Sequence, residues 1–227
     1  MRIEKEEIKY ILEGLANCHF DELCNENAES LIYDIVADDY EDFATGATKI
    51  VLIPEHAEYV IKIPFSHSLQ DISEWDAELE EYVWDNFYQE FECAPFGGRW
   101  DYCCSEVEVY KMACEYNVAQ YFLPIQHIGE FNGHPVYVQE KVEMYDRYMT
   151  TSHSYIDEKN ARESCKSRNL DMFNTAWCTD FILTYGIDAF SDLHEFFDVI
   201  GLTDLHDGNI GYYHDVPVIV DYAGYYE

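Results

Sequence analysis

Leu202-Thr203-Asp204-Leu205-His206-Asp207-Gly208-Asn209-Ile210-Gly211 and Pro217-Val218-Ile219-Val220-Asp221-Tyr222-Ala223-Gly224 are the stretches on which the reading of this chain turns. The first is a tight polar loop running into a short strand, Gly211 to Tyr213. The second is an apolar strand, Pro217 to Val220, ending on a carboxylate and a small, flexible turn. Asp204 and Asn209 lie five residues apart on the loop, and Asp221 returns after the hairpin. An Asp in that position suits a metal ligand, because hard cations such as Mg²⁺ take oxygen ligands. A calcium loop is the competing reading, but His206, Gly208 and Asn209 do not supply the acidic ligands and sixth-position Gly of an EF-hand. His206 reads as a loop support rather than a base.

Upstream of this segment the pattern is mixed. Ile3, Ile8, Ile11, Leu12 and Leu15 recur at helical spacing, as do Leu31, Ile32, Ile35 and Val36, so residues 1–40 read as N-terminal helices. An acidic run (Asp38, Asp39, Glu41, Asp42) precedes two β-branched stretches, Thr48 to Ile53 and Glu58 to Ile63, predicted as strands joined across Pro54-Glu55-His56. Ile125 to Phe131 and Pro135 to Val142 read as a second hairpin turned at Asn132-Gly133. Glu106 to Glu115 is predicted as a helix between the hairpins. Residues 66–100 are acidic and aromatic and read as an insertion, its Trp75, Tyr82, Trp84, Phe87, Tyr88 and Phe91 forming a helix against the core. Helical patterning returns around Phe173 to Tyr185 and Phe190 to Val199. The order of elements predicts an α+β fold.

The chain has 227 residues, 48% hydrophobic and 16% aromatic, enough for a proper core. Its charge is the outlier: 46 Asp and Glu against 13 Lys and Arg, a formal net charge of -33. Such a surface repels nucleic acid and anionic membranes and attracts basic partners. The charged start, Met1-Arg2-Ile3-Glu4-Lys5-Glu6-Glu7, gives no expectation of a signal peptide, and no apolar run is long enough for a bilayer. The eight cysteines form no C-x-x-C pair, and Cys103 and Cys104 are adjacent. Despite Cys18-His19 with Cys24 nearby, the expectation is reduced thiols in a cytoplasmic protein rather than zinc or disulfides.

Phosphoryl transfer needs a carboxylate to orient the attacking hydroxyl and oxygen ligands to hold magnesium on the nucleotide. The Asp204-Leu205-His206-x-Gly208-Asn209 segment, with Asp221 after its strand, resembles the protein-kinase-like superfamily, in the form used by aminoglycoside and choline phosphotransferases and the ubiquinone-biosynthesis kinases. The resemblance implies a two-lobed kinase-like fold binding ATP and Mg²⁺. Asp204 would be the catalytic aspartate, and Asn209 and Asp221 the metal ligands. Tyr59-Val60-Ile61-Lys62 looks like the strand carrying the phosphate-binding lysine, and Glu106, or else Glu108, like its helix partner. Gly46, in Ala44-Thr45-Gly46-Ala47-Thr48-Lys49, stands where the glycine-rich loop belongs. Val138-Gln139-Glu140-Lys141-Val142 would be the hinge, with Glu140 and Val142 beside adenine. On this reading 43–142 form the N-lobe, with the insertion at 66–100, and 143–227 a reduced C-lobe.

The resemblance has gaps. Leu202 stands where the family usually has a histidine, and Tyr222-Ala223-Gly224 follows the metal aspartate in place of Phe-Gly. Glu227 ends the sequence where protein kinases continue into an activation segment and docking helices, so no peptide platform is expected. Two functions therefore compete. One is an ATP-dependent phosphotransferase of unknown acceptor. The other is a non-catalytic, kinase-fold binding protein whose acidic surface occupies the basic groove of a protein partner, as phage-encoded inhibitors of host defence do.

Overall fold

The computed structural model describes residues 3–16, 28, 40–46, 48–55, 57–65, 69–76, 81–90, 102–131, 133–149 and 152–222. The chain is mixed α+β, as expected, and divides into two compact units. One comprises Met1–Ser105 with Gln126–Gln139, the other Glu106–Ile125 with Glu140–Glu227.

In the first unit, helix α1 (Lys5–Leu15) buries Ile11 and Leu15, two members of the expected apolar stripe. A five-stranded sheet follows, built from β1 (Tyr40–Thr45), β2 (Lys49–Pro54), β3 (Tyr59–Pro64), β6 (Ile125–Phe131) and β7 (His134–Glu140), in the order β1-β2-β3-β7-β6. Both expected strand pairs are present. The acidic run, expected only to precede the strands, belongs in part to β1, because Tyr40, Phe43 and Thr45 give the segment strand character despite its charge. Gly133 takes φ +81, the conformation that the expected Asn-Gly turn needs.

Antiparallel pairing sets Val51 opposite Lys62 and Lys49 opposite Pro64. Because side chains alternate, Ile50, Leu52, Ile61 and Ile63 share one face. That face is buried in a cluster with Ile3, Ile11, Leu15, Phe65, Val136 and Val138. Lys49 and Lys62 share the other.

The helix expected for the aromatics of 66–100 is corrected. β4 (Leu69–Asp76) and β5 (Glu81–Glu90) form an antiparallel two-stranded sheet. Tyr82-Val83-Trp84 and Phe87-Tyr88 are aromatic and β-branched, and such side chains fit a pleat better than a helix. Leu31 to Val36, Cys18 to Cys24, Asn132, Pro95 to Gly98 and Ala223-Gly224 lie outside the described residues.

The second unit holds α2 (Tyr102–Glu115), which begins in the first unit and starts four residues before its expected position. It then gives a 3-10 turn (Ala119–Tyr121), β8 (Glu143–Met144), and helices α3 (Tyr155–Arg168), α4 (Thr175–Tyr185) and α5 (Ile187–Ile200). A second 3-10 turn (Asp207–Asn209) leads into β9 (Ile210–Tyr213) and β10 (Val216–Ile219), and the strands pair in the order β10-β9-β8.

The core here is aromatic. Trp177, Phe181, Phe190 and Phe196 are fully buried. Tyr121 meets Phe181 edge-on at 4.9 Å, and Phe122 meets Tyr222 at 5.1 Å. Helix α3 was not anticipated, since it buries only Ala161 and Cys165 and has no apolar stripe to read. Its signal is the capping box: Ser154 Oγ accepts from Asp157 N–H while the Asp157 carboxylate accepts from Ser154 N–H. The Ser154 hydroxyl, donating to the Asp157 carboxylate at 2.6 Å, and then the Ser154 N–H hold the Asp157 carboxyl below its ordinary value.

The five described cysteines, Cys103, Cys104, Cys114, Cys165 and Cys178, are free thiols. No helix among the described residues is long and apolar enough to cross a membrane.

Candidate functional site

The site is assembled on the β9–β10 hairpin of the second unit. Tyr213 pairs with Val216 across a two-residue turn, His214-Asp215, with φ +52 and +64. Paired left-handed residues twist the ribbon in the sense a tight hairpin needs, and Asp and His tolerate that region better than most side chains. On the other edge, β8 approaches so closely that a Cβ on Gly211 would lie 2.6 Å from the Glu143 carbonyl oxygen. Glycine at 211 is thus required by backbone packing.

Asn209 joins the two quoted stretches. It is buried, 7% exposed, at the end of the 3-10 turn. Its side-chain Nδ2 donates to the backbone oxygen of Asp204 at 2.6 Å. Its own carbonyl accepts from the N–H groups of Val220, at 2.8 Å, and Asp221, at 3.2 Å. One residue therefore fixes both the start of the loop and the return of the chain after β10. The backbones of Asp204 and Asp221 are thus both hydrogen-bonded to Asn209. The amide nitrogen is committed to Asp204, which leaves the side-chain Oδ1 as the group Asn209 can offer a ligand.

Asp204 presents a carboxylate 39% exposed, and His206 Nε2 lies 3.6 Å from its Oδ1. His206 Nδ1 accepts from Gly208 N–H at 3.0 Å, capping the 3-10 turn. That is the supporting role expected of it. Leu202 is buried, and its N–H donates to Phe197 O at the end of α5. Packing thus holds the start of the loop.

The remaining expected residues are placed as follows. Lys62, on β3 of the first unit, is 3% exposed, and Lys49, which the sequence reading did not single out, is 5% exposed on the same sheet face. Buried ammonium groups need compensating charge or hydrogen bonds, so neither is a plain solubility residue. Gly46 is exposed in the β1–β2 connection, its N–H donating to Lys49 O. Glu106 is fully buried on α2, whereas Glu108 pairs with Lys111 at the surface. Glu140 is half-buried at the end of β7, and Val142 packs against Leu123, Val218 and Val220.

Sequence reasoning missed the residues that hold the loop from behind. Asn174 Nδ2 donates to Asp207 Oδ1 at 2.6 Å, and Trp177 Nε1 to Gly211 O at 3.1 Å. Tyr212 Oη donates to Asp180 Oδ2 at 2.8 Å. Burial first, and then the Asp180 carboxylate, push the Tyr212 phenol well above its ordinary value. Asn174 was readable as a helix N-cap, since its Oδ1 accepts from Trp177 N–H. Its second bond, to a residue 33 positions away, carries no sequence signal.

No group of three or more His, Cys, Asp or Glu suited to a metal occurs among the described residues. Mg²⁺ does not need one, since it takes one or two protein oxygens together with phosphates and water. Asn209 and Asp221 fit that requirement. Compared with known proteins, the chain matches no family model, no curated protein and no solved structure.

Proposed function

We propose that this protein is a kinase-like phosphotransferase that binds ATP with Mg²⁺. What supports the reading above all is the bonding of Asn209, which ties Asp204 to Asp221 through its side chain on one side and its backbone on the other. Asn209 Oδ1 and the Asp221 carboxylate would hold the metal, which neutralises phosphate charge when bound. Asp204 carries a half-exposed carboxylate on the loop and would accept a hydrogen bond from the acceptor hydroxyl, orienting it for attack. Lys62 would take the nucleotide phosphates with Glu106 as its partner, and the 138–142 segment would hold adenine. Those roles come from the sequence resemblance. The acceptor is unassigned.

The test is release or transfer of the terminal phosphate of Mg-ATP by wild type and Asp204→Ala. Loss of a general base or orienting group lowers rate by about 10²–10⁴-fold. Activity that persists undiminished in Asp204→Ala would end this assignment.

A second reading is favoured by the net charge of -33 and by large apolar side chains left exposed at Tyr148, Tyr155 and Ile156. It makes the chain an acidic binding protein for a basic protein partner, with the nucleotide site vestigial. Such a complex loses affinity steeply between low and moderate salt, because exposed charges are screened within about 10 Å at 0.1 M. A partner retained unchanged at high salt would count against it.

A further inference from the structure

Helix α4 meets the metal loop through three residues on one side, spaced i, i+3 and i+6. Asn174, its N-cap, reaches Asp207; Trp177 reaches Gly211; Asp180 reaches Tyr212. The order along the helix is the order along the loop and β9, and Asn209 lies between the first two contacts. We propose that this side of α4 is a brace that sets the position of Asn209, with Asp180 and Tyr212 as its latch.

The latch is itself held in place. Asp180 is 7% exposed, and its Oδ1 accepts from Ser152 Oγ at 3.2 Å and from His153 Nδ1 at 2.8 Å. A carboxylate oxygen accepts, so Nδ1 is the His153 atom that donates in this contact. With Oδ1 occupied by two donors from the segment before α3, Oδ2 is left fixed for the Tyr212 hydroxyl. Carboxylates with several donors are rigid and strongly oriented, so the bond from Tyr212 fixes β9 more firmly than a neutral pair would. A cavity of about 250 Å³, lined by Asp180, Tyr212, Ser152, Tyr145 and Met149 among others, adjoins the latch. Water can therefore reach Asp180 when the phenol hydroxyl is removed, and the fold can survive that change.

None of these residues is assigned contact with a nucleotide; they act through Asn209, as positioning residues. That consequence rests on the proposed magnesium role of Asn209, whereas the brace itself does not. The test therefore has two readouts. Tyr212→Phe removes one hydroxyl. Asn174→Ser keeps a capping oxygen on α4 and removes the amide that holds Asp207. Amide hydrogen exchange is followed at Asn209, whose N–H bonds His206 O, and at Val220, whose N–H bonds Asn209 O. Both amides should exchange at least about tenfold faster in each variant, while those of Leu193 and Phe197 in α5 keep their wild-type rates. Rates within about twofold of wild type at Asn209 and Val220 would overturn the brace, and so would an acceleration shared equally by α5. In parallel, Mg²⁺-dependent ATP affinity should fall in both variants while magnesium-free affinity holds. Wild-type protein with no magnesium-dependent binding would end the functional reading, and hydrogen exchange would still decide the brace.

Discussion

The first unit is built around aliphatic side chains, the second around aromatic ones, and the two cores do different work. Ile50, Leu52, Ile61, Ile63, Val136 and Val138 fill the space under the five-stranded sheet and offer no polar atom to anything. Trp177 and Tyr222, with the half-buried Tyr212 beside them, fill space and also end in a donor; Trp177 reaches Gly211 O, Tyr212 reaches Asp180 Oδ2 and Tyr222 reaches Leu123 O. An aliphatic core fixes which face of a strand is inside. Only the second kind of core can also aim a particular loop. The unit with the aromatic core is the one that holds Asp204, Asn209 and Asp221 in register.

The sharpest way to break that contrast is Trp177→Ala. It should cost about 3–5 kcal/mol in urea unfolding, because a fully buried indole and its bond to Gly211 are lost together. Trp177→Phe separates the two contributions: a variant as stable as wild type would mean that the indole N–H holds nothing. Next in size is Tyr222→Phe. It leaves the Leu123 carbonyl without its phenol donor and should lower stability by about 1–3 kcal/mol, read from the same unfolding midpoints.

The aromatic core also buries Cys178, and that burial pushes its thiol up to about 12 from 9.0. A folded value above the unfolded one stabilises fully below about pH 9, and that contribution is lost as pH rises towards 12, by about 1.4 kcal/mol per pH unit. Tyr212, raised in the same direction, adds to the loss above pH 10. Urea midpoints from pH 8 to 11 should therefore fall more steeply in wild type than in Cys178→Ala; parallel slopes would remove the thiol from the explanation. The smallest effect belongs to the aliphatic core. Ile63→Val should cost about 0.5–1.5 kcal/mol in urea unfolding. A larger loss would show that the sheet core tolerates a missing methyl no better than the aromatic core tolerates a missing hydroxyl.

The same contrast explains what was legible in the sequence. Strands β2 and β3 announce themselves, because Lys49-Ile50-Val51-Leu52-Ile53 and Tyr59-Val60-Ile61-Lys62-Ile63 are β-branched runs with a turn between them. The hairpin at Gly133 was readable from its turn residues. The Asp204–Asp221 segment was readable because it is local: a loop, two short strands and a returning carboxylate within about twenty residues. Helix α3 was not, since a helix that buries two small residues has no periodicity to detect. Nor was the sheet of β4 and β5, where acidic and aromatic residues invited a helical reading. Least legible of all were the contacts of Asn174 and Asp180. Hydrogen bonds across 32 or 33 residues depend on how the helices pack, and nothing in the local sequence encodes them.

Magnesium-dependent ATP binding, measured by calorimetry on wild type and Asp221→Ala, tests the functional reading most directly. The Asp221 backbone N–H, which bonds Asn209 O, survives the substitution. Binding that is strengthened by Mg²⁺ in wild type, and indifferent to Mg²⁺ in Asp221→Ala, is the expected result. Equal magnesium dependence in the two proteins, or no ATP binding by wild type under either condition, would contradict it.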